Sequence, residues 1–401
     1  MSRRLASADF GPIRAILPLV LAIAIVTAGS GLLTTRTALE LSLAKASVGA
    51  IRSVITGYPL GFLLGCALAR PLIARIGHGR AFQLMAALTG LATMLFLASS
   101  EVWVWTGLRI VNGFAMAVIF TVAESWINLD SGPRNRGSLI AFYMIMSTLG
   151  LVAGQSMINL GDPTGAGLIL LAALICLAAA LPFAVDGRMR PAGYDPSRAE
   201  PATDEVVSFG RLLRITPLIV VLAVLQTGMT NMNFGVLAPI YATHTGHPAG
   251  TAAALVIVFS LGGFIAQFPV GWLSDRIDRP LILAGAGLIA ALCCLATALF
   301  GHLSTPLLFV LLFVYGATTL CIYPVAIAYA GATVERRFVV AVSGRLLFVY
   351  SIGAVIAPPL SNELMARIEP AALFLFLGAI SLVVGVGGVA EFARSRRRTA
   401  R

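Results

Sequence analysis

The chain has 401 residues, of which 58% are hydrophobic and only 11% charged, with a mean hydropathy of +0.93. A soluble protein of this length needs far more charged surface, so most side chains must face lipid or one another. The net charge of +11 therefore calls for a topological explanation before any nucleic-acid partner is invoked.

Twelve apolar runs are long enough to cross a hydrocarbon core of about 30 Å, which takes about 20 helical residues. They lie near 14–34, 47–69, 81–99, 103–127, 137–159 and 165–185, then 215–242, 250–273, 280–301, 305–331, 338–361 and 370–392. The runs are continuous and too long for barrel strands, so an all-α membrane fold is expected. The first run follows Arg3, Arg4 and Arg14 but exceeds a signal peptide's apolar stretch, and it reads as a retained first helix. All five cysteines, Cys66, Cys176, Cys293, Cys294 and Cys321, fall inside apolar runs without metal-ligand spacing and read as packing residues.

If the N-terminus is cytoplasmic, 22 of the 28 basic residues fall on the inner side. Arg36, Lys45 and Arg367 fall outside, and Arg52, Arg109 and Arg345 fall within helices. This asymmetry predicts two cytoplasmic termini in a multi-pass inner-membrane protein. Residues 186–212, with Pro191, Gly193, Pro196 and Pro201 among mixed charges, read as a flexible linker. The expected organisation is a six-helix bundle over 1–185, the linker, a second bundle over 213–392 and a basic cytoplasmic tail over 393–401.

The halves are related. The stretch GGFIAQFPVGWLSDRIDR, residues 262–279, has a degenerate copy in GYPLGFLLGCALARPLIARIGHGR, residues 57–80. A second echo pairs Gly137-Ser-Leu-Ile-Ala-Phe-Tyr143 with Gly344-Arg-Leu-Leu-Phe-Val-Tyr350. Two pseudo-symmetric six-helix halves are the mark of a transporter that rocks about a central site.

Twelve spans as six plus six, with G-x-L-x-D-R-x-x-R at Gly271 to Arg279, resemble the major facilitator superfamily over nearly the whole chain. Arg75-Ile-Gly-His-Gly-Arg80, and Glu124-Ser-Trp-Ile-Asn128 followed by Asn135-Arg136-Gly137, resemble its YcaD-like bacterial branch. The resemblance implies that Gly271 permits close helix packing while Asp275 sits beside Arg276 and Arg279. It also implies that Asp275 faces the start of the eleventh helix, with Arg336 or Arg337 as partners, and acts as a gate on the cytoplasmic side. In the first copy Ala74 replaces the acid, so Arg75 and Arg80 are weaker gate candidates and serve equally as topological anchors.

Ionisable groups inside spans are costly and so are worth naming. Arg109-Ile-Val-Asn112-Gly113 resembles the family's R-x-x-x-G motif, which is associated with proton movement in antiporters. Arg52 lies at comparable depth. The pair reads as a cationic part of a cavity, attracting an anion or tuning an acid, with snorkelling as the plain alternative. Glu124 is a candidate proton carrier, or a gate closing against Arg345, or the partner of Arg134 or Arg136.

A substrate site is expected between the halves, lined by the first, fourth, seventh and tenth runs. The candidates are Gln226, Thr230, Asn231 and Asn233, then Tyr315, Thr318, Thr319 and Tyr323, with Asn112, Met116, Arg52 and Arg109. Interhelical hydrogen bonding is the competing explanation for the polar ones. Neutral amides and hydroxyls suit a small organic solute better than a metal ion. All four histidines fall in predicted loops, and neither a phosphate loop nor a metal cluster is evident, so an enzyme is not expected. The expectation is proton-coupled efflux by alternating access, with uptake by symport or facilitation as the alternative and a transporter-shaped sensor as a remote one. It has no cofactor, a proton as candidate coupling ion, the lipid bilayer and a small solute as partners, no nucleic acid, and a functional monomer.

Overall fold

A computed structural model describes residues 11–44, 47–132, 135–162, 165–186, 191, 209–245 and 251–399. Fourteen α-helices and three short 3-10 turns account for these residues, and no strand occurs among them. In chain order the helices are α1 (Gly11–Leu43), α2 (Val48–Ile76), α3 (His78–Met94), α4 (Val102–Asp130), α5 (Arg136–Ser156), α6 (Ala166–Ala178) and α7 (Leu181–Asp186). They continue as α8 (Phe209–Ile215), α9 (Leu218–His244), α10 (Thr251–Ser274), α11 (Arg279–Phe300), α12 (Thr305–Thr333), α13 (Val339–Arg367) and α14 (Ala372–Thr399). Eleven stretches are long and apolar enough to cross a membrane, and Leu218–Phe234 in α9 is a shorter apolar stretch. Most of the linker 186–212, and Lys45, Arg134 and His247, lie outside the described residues, as does the side chain of Arg52 in α2.

Three boundaries differ from the sequence reading. Helix α1 runs nine residues past the predicted end at 34, so Arg36 lies in a helix, buried and ion-paired with Glu40 one turn on, instead of in an outer loop. The predicted run 165–185 divides into α6 and α7, because Pro182 cannot supply the backbone N–H that a continuous helix needs there. Helix α14 continues through the basic residues as far as Thr399. Only Gly77, between α2 and α3, takes a positive φ, 84°, among the described residues. Its N–H closes on the Ile73 carbonyl at 2.8 Å, which lets the chain reverse within one residue.

Contacts divide the chain into two units, one of residues 1–135 and 143–202 and one of 136–142 and 203–401. Helix α5 therefore begins in unit 2 and ends in unit 1. Each unit contains its own version of one packing seam. In unit 1, a Cβ on Gly61 would run into the Ile110 carbonyl, and one on Gly113 into the Tyr58 carbonyl. In unit 2, Gly262 sits against Phe313 and Gly316 against Phe259 in the same way. Gly262 is 201 positions after Gly61, and Gly316 is 203 after Gly113, so the repeat read in the sequence recurs as three-dimensional packing. Burial of apolar side chains gains nothing between helices already in lipid, so close backbone approach at glycine is what holds such pairs. The outward faces carry exposed Leu64 and Leu68 on α2, Leu292, Leu295 and Leu299 on α11, and Val383 and Val386 on α14, an apolar surface suited to acyl chains.

Replacing Gly61 or Gly316 by Val should therefore abolish the monodisperse peak in fluorescence-detected size exclusion, because a backbone carbonyl cannot move aside. Gly107→Ala, where a Cβ meets nothing within 4 Å, should leave that peak unchanged.

Candidate functional site

The best-defined polar arrangement lies at the start of α5. An α-helix leaves its first N–H groups without internal partners, and the residue before it usually caps them with a side-chain oxygen. Here Asn135 does not, and its side chain instead accepts a hydrogen bond from the Gly132 N–H at 2.8 Å. The cap comes from α10. Asp275 accepts from the Gly137 N–H at 2.7 Å and from the Ser138 N–H and hydroxyl at 2.9 and 2.8 Å. Arg279 donates to the same carboxylate at 3.2 Å. The Asp275 side chain is fully buried and Arg279 is 10% exposed. Because the carboxylate also lies at the positive end of the α5 dipole, its charge is favoured by geometry.

Glycines make this approach possible. A Cβ on Gly137 would meet the Ser274 hydroxyl and lie 2.6 Å from the Gly271 carbonyl, and one on Gly271 would lie 2.7 Å from Ala141. The family resemblance implied that Asp275 would face the start of the eleventh helix, with Arg336 or Arg337 as partners. The structure gives the fifth. Arg337 pairs with Glu335 at 2.7 Å, while Arg276 folds back over the Trp272 ring, 3.6 Å from its centroid, and donates to the Trp272 carbonyl. Arg336 is exposed, as are Arg75 and Arg80 of the degenerate copy. The reason is positional: α10 ends one residue before Asp275, and the orphan N–H groups within reach belong to Gly137 and Ser138.

The expected substrate residues fall into separate groups. In unit 2, Thr230 and Tyr315 place their hydroxyls 3.4 Å apart, with Thr319 beside the same phenol. Tyr315 is wholly buried between Phe234 and Phe259. Gln226 donates to Ser381 of α14 at 3.2 Å, and Thr318 bonds back to the Val314 and Tyr315 carbonyls of its own helix. These are helix-to-helix or intrahelical bonds of the kind that lipid-embedded polar residues form. Asn231 instead donates to the Tyr350 hydroxyl at 3.2 Å, and Tyr350 stands edge-on to Tyr323 at 5.7 Å. Asn233 is fully buried, and neither of its amide atoms has a hydrogen-bond partner among the described residues.

In unit 1, Arg109 is 6% exposed, donates to the Thr34 hydroxyl at 3.2 Å and lies over the Tyr58 ring, 4.9 Å from its centroid. Asn112 and Met116, both 1% exposed, follow on α4. Glu124 is also 1% exposed, and Tyr143 lies close enough to interact with its charge. Arg345, in the second turn of α13, is half-buried. Three residues escaped the sequence reading. Tyr143 and Tyr350 close the two copies of the repeated heptapeptide, and that repetition was the signal available for them. His78, expected in a loop, is the first residue of α3 and is buried edge-on to Trp126 at 6.1 Å.

A repeated set of lipid-facing helices with buried polar groups and a charge-capped helix start defines a multi-pass membrane transporter rather than an enzyme. The profile of the Major Facilitator Superfamily matches residues 16–241 and 219–401, and the chain belongs to that superfamily. It is 27% identical over 370 residues to an MFS-type transporter of Yersinia enterocolitica, covering 92% of this chain and 94% of the relative. It is likewise 27% identical over 375 residues to YcaD of Shigella flexneri, with the same two coverages. Among solved structures it resembles the Escherichia coli fucose:proton symporter FucP, at TM-score 0.72 and 17% identity, covering 93% of this chain and 98% of that one. It also resembles the human organic anion transporter MFSD10, at TM-score 0.74 and 14% identity, covering 94% and 99%. At these identities the likeness is one of fold.

Asp275→Ala should leave two helix-start N–H groups and Arg279 without their acceptor, a loss of about 2–5 kcal/mol. Thermal unfolding of the purified protein in detergent should show a transition lowered by several degrees, with Asp275→Asn between the variant and wild type.

Proposed function

We propose that the protein is a secondary active transporter that exports a small organic solute in exchange for protons, and that the Asp275 cap on α5 biases one of its conformations. Asp275 carries this reading. A carboxylate that caps another helix through three short hydrogen bonds is an all-or-none contact, because the N–H groups of Gly137 and Ser138 are either capped or not. Such bistable contacts are what alternating access requires. Gly137 and Gly271, which set the backbone separation, belong to the same latch. Arg279 holds the carboxylate in place from one turn away.

Glu124 is the coupling group in this proposal. It is an acid at 1% exposure within an apolar span, where a carboxyl group that gains and loses a proton changes the cost of its burial. Asn231, Tyr350 and Tyr323 in unit 2, and Arg109 and Asn112 in unit 1, are the solute-contacting candidates. Thr230, Tyr315 and Gln226 contribute mainly by holding α9 to α12 and α14. The fucose:proton symporter and the proton:xylose symporter XylE share the fold and lend support to the proton as coupling ion, not to a direction. The arginine distribution supports cytoplasmic termini in the inner membrane, and a monomer is the functional unit in this proposal.

The test is proton flux in proteoliposomes under an imposed pH gradient, for wild type and Glu124→Gln, across a panel of small organic solutes. Solute-evoked proton movement that Glu124→Gln abolishes is the expected result. Solute flux without proton movement contradicts the coupling and leaves Glu124 as a gating charge. Co-movement of proton and solute in one direction replaces efflux with uptake by symport.

A further inference from the structure

Two buried arginines of unit 1, Arg36 on α1 and Arg109 on α4, flank Trp105, and among the described residues only the first is ion-paired with a carboxylate. Arg36, at 3% exposure, is ion-paired with Glu40 and interacts with Asp162, and it lies 6.0 Å from the Trp105 ring of α4. Arg109 sits one turn beyond Trp105. Among the described residues it contacts the neutral Thr34 hydroxyl and the Tyr58 ring. The guanidinium has five N–H donors, and among the described residues only one finds an acceptor. Glu124, on the same helix, is 15 residues away, or about 22 Å along the axis. The Tyr58 ring, 4.9 Å from the guanidinium, offsets only part of the cost of burying the cation.

One turn along the same face of α4, Asn112 is 1% exposed, and both its amide nitrogen and its oxygen lack a partner among the described residues. An unpaired cation and an unsatisfied amide in adjacent turns form a donor-rich patch in an apolar wall. We infer that Arg109 and Asn112, with Thr34 and Tyr58, form a subsite for a carboxylate group of the transported solute, which makes the cargo a small organic anion. This rests on the transporter reading above and names its substrate class. A single guanidinium supplies one unit of charge in a planar fork, which matches a carboxylate through two parallel hydrogen bonds. Asn112 is then free to bond a hydroxyl or carbonyl next to that carboxylate, and Tyr58 covers the guanidinium face opposite the ligand.

The experiment is ligand-induced thermal stabilisation of the purified full-length protein, using benzoate, lactate and pyruvate against the corresponding uncharged amides, with inorganic phosphate as a further probe. At least one carboxylate should raise the transition temperature of wild type while its amide does not. Arg109→Gln should abolish that shift, and Arg109→Lys, which keeps the charge but loses the fork, should weaken binding about tenfold. No shift with any carboxylate overturns the inference, as does an equal shift with the amide or an unchanged shift in Arg109→Gln. A shift of the same size with phosphate assigns the patch to anions in general and overturns the carboxylate. If Arg109→Gln does not purify, Arg109→Lys decides alone: binding equal to wild type overturns the inference. Carboxylate binding without flux in proteoliposomes keeps the subsite and removes the transport reading. Flux of uncharged solutes without carboxylate binding does the reverse.

Discussion

The start of α5 has no cap of its own, and much of the functional account depends on where that cap is found. Asn135 turns back to Gly132, so the N–H groups of Gly137 and Ser138 are satisfied by Asp275 from α10. Satisfaction from another helix differs in kind from a local cap. A local cap survives any movement of the helix as a body, whereas this one exists only while α10 and α5 stay within hydrogen-bond reach. Arg279 and the α5 dipole make the carboxylate's charge favourable in that arrangement. Gly137 and Gly271 remove the side chains that would hold the two backbones apart.

The same economy governs the rest of the fold. Inside lipid, the helices cannot be held together by hiding apolar surface, so the units rely on glycines pressed against facing carbonyls. Gly61 with Ile110 and Gly113 with Tyr58 in unit 1 have counterparts in Gly262 with Phe313 and Gly316 with Phe259 in unit 2. A duplicated chain can diverge widely in its side chains while these contacts remain, because each depends on a missing Cβ and not on a particular neighbour. Polar groups are then left for selected places. Some close helix pairs, as Gln226 does with Ser381, while the amides of Asn112 and Asn233 are buried with no hydrogen-bond partner among the described residues.

The helical class, the count of spans and the repeat were legible in the sequence because each is a property of composition and spacing. Boundaries were less so. Helix α1 extends past residue 34 because Arg36 and Glu40 neutralise one another within the helix, a pairing that hydropathy counts as two penalties. The latch was half legible: the residues Gly271, Asp275 and Arg279 followed from the motif, but the helix they cap did not, since a missing local cap at Asn135 is visible only in three dimensions. The polar cluster of α9 reads in the sequence as a site, yet Gln226 and Thr230 bond to Ser381 of α14 and Tyr315 of α12, because polar groups within lipid also satisfy one another between helices. Tyr143 and Tyr350 were visible only as the last residues of the two repeated stretches, because the spacing of a repeat does not say what a side chain contacts.

The measurement that bears most directly on this account is the distance distribution between spin labels at Ile277, exposed beyond the end of α10, and Asn135, at the start of α5. All five native cysteines are buried, so labels can be confined to the two introduced sites. The account predicts a short-distance population in wild type that loses weight to a longer one in Asp275→Asn. A distribution unchanged by that substitution would contradict the role of the Asp275 cap as the element that holds one conformation.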